Sequence, residues 1–97
     1  MSCYVDPIVR ASAGFKWPRS CRLYADTAED LHAMAAQLGL GRDCLVAHRD
    51  LPHYEIVPAL RLRAVDLGAI QHTREECLAF TRRRLDTRTL SLFGGEG

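Results

Sequence analysis

The chain has 97 residues, 47% of them hydrophobic and 26% charged, a balance that leaves room for one core and excludes both a second independent domain and a disordered polar chain. Thirteen Lys and Arg against twelve Asp and Glu give a formal net charge of +1, so no global field draws the protein to nucleic acid or an anionic membrane. Cys3, Cys21, Cys44 and Cys77 lack C-x-x-C spacing, which excludes a zinc ribbon or a thioredoxin-type motif, and no apolar run approaches the roughly 20 residues of a membrane span.

Tyr4–Val9 carries β-favouring residues interrupted by Asp6-Pro7, which predicts a very short strand stopped where proline removes a ladder donor. Residues 11–20 hold Gly14 and Pro18 without periodicity and predict a loop anchored by Phe15 and Trp17. Cys21–Ala25 is an apolar run interrupted by Arg22 and predicts a strand that turns into a helix at Asp26-Thr27. Either residue makes a capping box, Asp26 with Glu29 or Thr27 with Asp30. Leu31, Met34, Ala35 and Leu38 then form a helical stripe, and Gly39 supplies the stop.

Cys44–Ala47 reads as a further strand, and so does Tyr54–Val57. Pro58 suits the first position of a helix striped by Leu60, Ala64 and Leu67 and closed by Gly68. Ala69–His72 predicts a short strand, and Thr73–Glu76 is another capping box opening a helix to about Leu85. Residues 86–97 read as a tail in which Leu90, Leu92 and Phe93 dock and the Gly-Gly-Glu-Gly end is disordered.

Together these elements predict a single α/β domain over residues 1–85: a three- to four-stranded, mostly parallel sheet flanked by about three helices. In such sheets ligands gather beyond the carboxyl ends of the strands, where Asp6, Asp26 and His72 are expected to cluster. The N-terminus lacks a basic segment followed by an apolar stretch, so a cytoplasmic location with four free thiols is expected.

The ordered set Tyr4-Val5-Asp6, Arg19-Ser20-Cys21, Ala25-Asp26-Thr27, Leu31-His32-Ala33-Met34-Ala35, His53-Tyr54, Arg61, Ala64-Val65 and Gly68-Ala69 resembles a family of small bacterial and phage proteins. This is the domain-of-unknown-function family catalogued as four-zero-three-one, and the resemblance covers roughly residues 4 to 85. It implies a cytosolic domain of the same short α/β type and supplies no activity. The chain departs from the family pattern at Arg22, where a histidine is usual, and at Glu55, where an aspartate is usual. An arginine neither ligates metal nor shuttles protons at neutral pH, so the first departure weakens a metal site.

Asp6, Asp26, His32, His53 and Glu55 supply the carboxylates and imidazoles that chemistry needs, with Arg19, Arg22 and Arg61 as anion ligands. Such a set suits a pocket for a small molecule or anion, or metal-assisted hydrolysis of a phosphoester or amide. If Asp6, His32 and His53 act as a unit, they lie within a side chain's reach of one point. Each residue also has a structural role open to it: Asp26 as a helix cap, His32 as a helix-surface residue, Glu55 as the partner of Arg61. No histidine pair has helical ligand spacing, no Gly-x-Ser-x-Gly elbow occurs, and Gly39-Leu40-Gly41 lacks the spacing of a phosphate loop, so the pattern singles out no cofactor. The rival reading is a non-catalytic module binding nucleic acid or a protein partner through Arg82-Arg83-Arg84 and Arg88, although consecutive helix positions about 100° apart fan the three around the axis.

Overall fold

The computed structural model describes the backbone of residues 2–94 and the side chains of residues 2–85. The expected disorder of the last residues, the docking of Leu90, Leu92 and Phe93, and the Arg88 side chain therefore lie outside the described residues.

The elements follow the order β1 (Cys3–Val5), β2 (Val9–Arg10), β3 (Arg19–Ala25), α1 (Ala28–Gln37), a 3-10 turn (Arg42–Cys44), β4 (Leu45–Val46), β5 (His53–Ile56), α2 (Pro58–Asp66), β6 (Ile70–Gln71) and α3 (Arg74–Gly94). The last helix runs on past Leu85, where the sequence predicts its end. Three helices and a mixed sheet make this an α/β domain.

The sheet corrects the expectation of three to four mostly parallel strands. Six strands occur among the described residues, in the order β4-β5-β3-β1-β6 with β2 also on β3, and only the β1–β6 pair is parallel. Helix-linked strands do run the same way: β4 lies parallel to β3, and β6 to β5. They are not neighbours, however. Hairpin connections insert β5 between β3 and β4, and β3 with β1 between β5 and β6, so nearly every adjacent pair is antiparallel. Strand–helix alternation reports direction and says nothing of adjacency.

β1 and β2 behave as one strand with a bulge. β1 pairs Val5 with Leu23, β2 pairs Val9 with Ser20, and Asp6, Pro7 and Ile8 are left facing Cys21 and Arg22. Pro7, which has no N–H to donate, sits in this break, where a bulge tolerates it. The Arg22 N–H donates instead to the Asp6 carboxylate at 2.6 Å, while the Asp6 N–H donates to the Arg22 carbonyl at 3.2 Å.

Alternation along β3 sends Cys21 and Leu23 to one face of the sheet, where α1 and α2 cover them together with Val5, Tyr54 and Ile56. Tyr24 points to the other face, onto Cys77 and Phe80 of α3 and onto Leu51. Both covering helices on the first face end in the same device. Gly39 and Gly68 have φ of +80° and +111°, and the residue after each donates back to the carbonyl of Ala35 or Ala64. A side chain at that φ would be strained.

Thr27 is the N-cap of α1: its hydroxyl accepts from the Asp30 N–H at 3.1 Å. Asp26 is instead drawn back to β1, accepting from the Ser2 N–H and the Tyr4 hydroxyl. Replacing Thr27 by Ala should therefore cost about 1 kcal/mol in a urea melt, and a loss below a few tenths would show that this cap carries little of the helix.

Candidate functional site

The face of the sheet turned towards α3 carries the polar residues. Ser20 and Arg22 alternate with Cys21 and Leu23, and His53 and Glu55 alternate with Tyr54 and Ile56. Arg22 and Glu55 lie directly opposite one another in the β3–β5 register. α3 covers the far part of this face and leaves the near part open. The result is a cleft of about 230 Å³ floored by Asp6, Ser20, Arg22, His53 and Glu55, and walled by Arg10, Ser12, Arg74 and Leu78.

Each acid in the cleft is held by the protein. Asp6 accepts the Arg22 N–H in the bulge, and Glu55 accepts from the Ser12 N–H at 2.9 Å and the buried Ser20 hydroxyl at 2.5 Å. Burial alone would raise the Glu55 pKa, but these hydrogen bonds outweigh it and hold the carboxyl below its ordinary 4.5. The guanidiniums differ. Arg10, Arg22 and Arg74 line the cleft without a side-chain hydrogen bond or ion pair among the described residues.

His53 is 8% exposed, and its Nδ1 lies 2.8 Å from the Leu51 carbonyl. A carbonyl only accepts, so Nδ1 carries the proton and Nε2 of the neutral ring presents a lone pair. Burial lowers the His53 pKa from its ordinary 6.5, the Leu51 hydrogen bond opposes this, and the nearby charge of Arg22 adds to the lowering. Cys21, beneath the cleft, has its thiol pushed up to about 12 by burial and by Asp6, which removes it as a nucleophile at neutral pH.

Beside the cleft, under α3, lies an aromatic group. Tyr4 stacks on His72 with centroids 4.4 Å apart, Phe80 tilts against both, and the Tyr24 hydroxyl meets His72 Nδ1 at 2.8 Å. Burial raises the Tyr24 pKa, with Cys77 adding, so the hydroxyl stays protonated.

The sequence-derived set divides. Asp6, His53, Glu55 and Arg22 meet in the cleft, and the others stand elsewhere. Arg19 is exposed beside Trp17 and Pro58. Asp26 lies at the opposite end of the sheet from Asp6, because β1 and β3 are antiparallel and the residues following them diverge. His32, on α1, meets the Tyr54 hydroxyl at 2.7 Å on the other face, so Asp6, His32 and His53 do not share one point. Arg61 reaches from α2 to the Asp6 carbonyl at 2.9 Å and to Gln71, and does not pair with Glu55. Sequence reasoning missed Ser12, Ser20, Arg10 and Arg74. The period-two alternation of Ser20 with Arg22 was the available signal for one of them, whereas Ser12 and Arg74 arrive through a loop and a helix start. Among the described residues no three His, Cys, Asp or Glu side chains come together as a metal ion requires.

A protein-family model described as Protein of unknown function (DUF4031) matches residues 3–84. No curated protein and no solved structure matches the chain.

Because the Glu55 pKa is lowered in the fold, its contribution to stability is complete above the unfolded value near 4.5 and is lost as pH falls through the folded value. Denaturant melts should show Glu55→Gln less stable than the unaltered protein at pH 7, with the gap closing as pH drops below about 4.5. A gap independent of pH would mean that the Ser12 and Ser20 contacts do not depend on the charge.

Proposed function

The chain belongs to the family described as Protein of unknown function (DUF4031), and we propose that its cleft binds a small organic anion. The observation that carries this reading is the asymmetry of commitment among the cleft's charges. Its two acids already accept protein hydrogen bonds, while Arg10, Arg22 and Arg74 have no such partner among the described residues. A ligand with oxygens to offer finds donors there, in the forked geometry that guanidiniums present to carboxylates and phosphates. Pro7, Val9 and Leu78 give the cleft an apolar side, which suits an anion carrying a short apolar body rather than a bare ion. The four unpaired thiols suit a protein of the reducing cytoplasm.

Metal-assisted hydrolysis draws no support from the grouping of ligating side chains, and His53 is the cleft's neutral imidazole beside two carboxylates already engaged by protein hydrogen bonds. The rival, a nucleic-acid or protein module reading through the arginines of α3, needs a continuous basic face. Arg84 instead turns inward to donate to the Asp50 carbonyl at 2.8 Å, while Arg82 and Arg83 stay exposed. The cleft is the better reading.

Calorimetric titration with phenyl phosphate and with benzoate tests it. The expected result is saturable binding weakened about tenfold or more by Arg22→Ala and by Arg74→Ala, each removing a charge-assisted contact of about 1.5–3 kcal/mol, with Arg82→Ala unchanged. Equal weakening by Arg82→Ala would move the site to the arginine run at 82–84 of α3.

A further inference from the structure

Resting on the anion-binding reading, we infer that the ligand is a phosphate monoester and that it binds with one proton held between its oxygen and Nε2 of His53.

The reason lies in the Leu51 contact. With Nδ1 committed as donor to the Leu51 carbonyl, the neutral ring can only accept at Nε2, so an anion placed against it meets lone pair with lone pair. Approach within hydrogen-bond distance requires a proton between them, taken up from solvent onto Nε2 or brought by the ligand as a P–OH. Either way the complex contains one proton more than neutral His53 plus the dianion. The ring cannot avoid this by turning over, because the Leu51 carbonyl would then face a lone pair at a residue with little room to move.

Other groups around the ring set the direction of the coupling. Burial opposes protonation most, and Arg22 from β3 and His48 from the β4–β5 loop add to it. From the bulge Asp6 favours protonation, and Glu55 two positions along β5 lies within electrostatic reach of the ring. Asp50 lines the same wall as His48, and α3 presents Arg74 on one side and the buried Cys77 between. A dianion entering this ring offsets the Arg22 charge and sets its own negative charge beside the imidazole, so it favours the protonated ring against the cost of burial. Proton and anion then each raise the affinity for the other, as linkage demands.

The ligand class follows from the donors. Three guanidiniums and an imidazolium offer more donors than the two oxygens of one carboxylate can accept, whereas a phosphate monoester brings three terminal oxygens and a double charge. Its second pKa near 6 also puts a proton within reach of neutral pH.

The test uses the whole chain and three probes, phenyl phosphate, benzoate and phenyl sulfate, the last of which does not titrate in this range. In the unaltered protein the affinity for phenyl sulfate should fall nearly tenfold per pH unit between about pH 7.5 and 8.5, the slope of a one-proton linkage. In His53→Gln it should be flat. Calorimetry of phenyl phosphate at about pH 8, in buffers of different ionisation heat, should count close to one proton taken up. That count needs no variant and decides the matter even if His53→Gln fails to fold. Binding with a flat profile and no proton uptake would overturn the inference and leave the anion-binding cleft standing. Benzoate bound as tightly as phenyl phosphate would overturn the ligand class, and no binding of any probe at any pH would remove both readings.

Discussion

The structure depends on the double burial of β3. This strand runs through the middle of the sheet, paired along one edge with β1 and β2 and along the other with β5, and it is covered on both faces. Leu23 is 0% exposed against the α1 and α2 side, and Tyr24 is 0% exposed against α3. Burying an aliphatic side chain such as Leu23 contributes about 1.5–3 kcal/mol, a large share of the margin of a chain this short. Tyr24 carries a hydroxyl into the same interior, and an unpaired buried hydroxyl would cost about 1–3 kcal/mol. Its hydrogen bond with His72 Nδ1 prevents that. The histidine after β6 thus closes the layer between sheet and α3.

The cleft is a consequence of where this double cover stops. The bulge at Asp6–Ile8 breaks the edge of β3 at Arg22, and α3 begins only at Arg74, so one end of the sheet face stays open. A bulge usually leaves ladder groups unpaired, and here the Asp6 carboxylate takes the Arg22 N–H while Arg61 reaches across to the Asp6 carbonyl. Both side chains that the sequence offers as ligands at this point are thereby employed in holding the broken strand together. Their role is to shape the opening.

Much of this was legible in the sequence, and the illegible part has identifiable causes. The helix starts at Thr27 and Thr73, the helix stops at Gly39 and Gly68, and the strand character of Cys21–Ala25 all rest on local chemistry, where a residue and its near neighbours suffice. Asp6, His53 and Glu55 were picked by residue type, and the fold brings these three and Arg22 together. Strand adjacency is non-local: nothing near Asp26 reveals that β3 runs against β1, and that reversal carries Asp26 and His32 away from Asp6. The alternation of Ser20, Arg22 and Tyr24 was visible, but with both faces buried it did not read as a polar face. Arg10 and Arg74 come to the cleft from a two-residue strand and a helix start, and neither position announces a partner across the sheet.

The proposed anion site rests on the cross-strand placement of Arg22 opposite Glu55. Opposite charges on directly facing cross-strand positions ordinarily satisfy each other. Here Glu55 is turned away by two donors, the Ser12 N–H and the Ser20 hydroxyl, one from the loop after β2 and one from the start of β3. The loop is thereby fastened to β5, and Arg22 is released from its natural partner. Burial keeps the neighbouring His53 ring neutral, and the Arg22 charge adds to that. A neutral imidazole beside an unmatched guanidinium is an arrangement short of one negative charge. On the proposed reading, an oxyanion that fills the space satisfies Arg22 and also favours the protonated form of His53, so binding and protonation at this site are coupled.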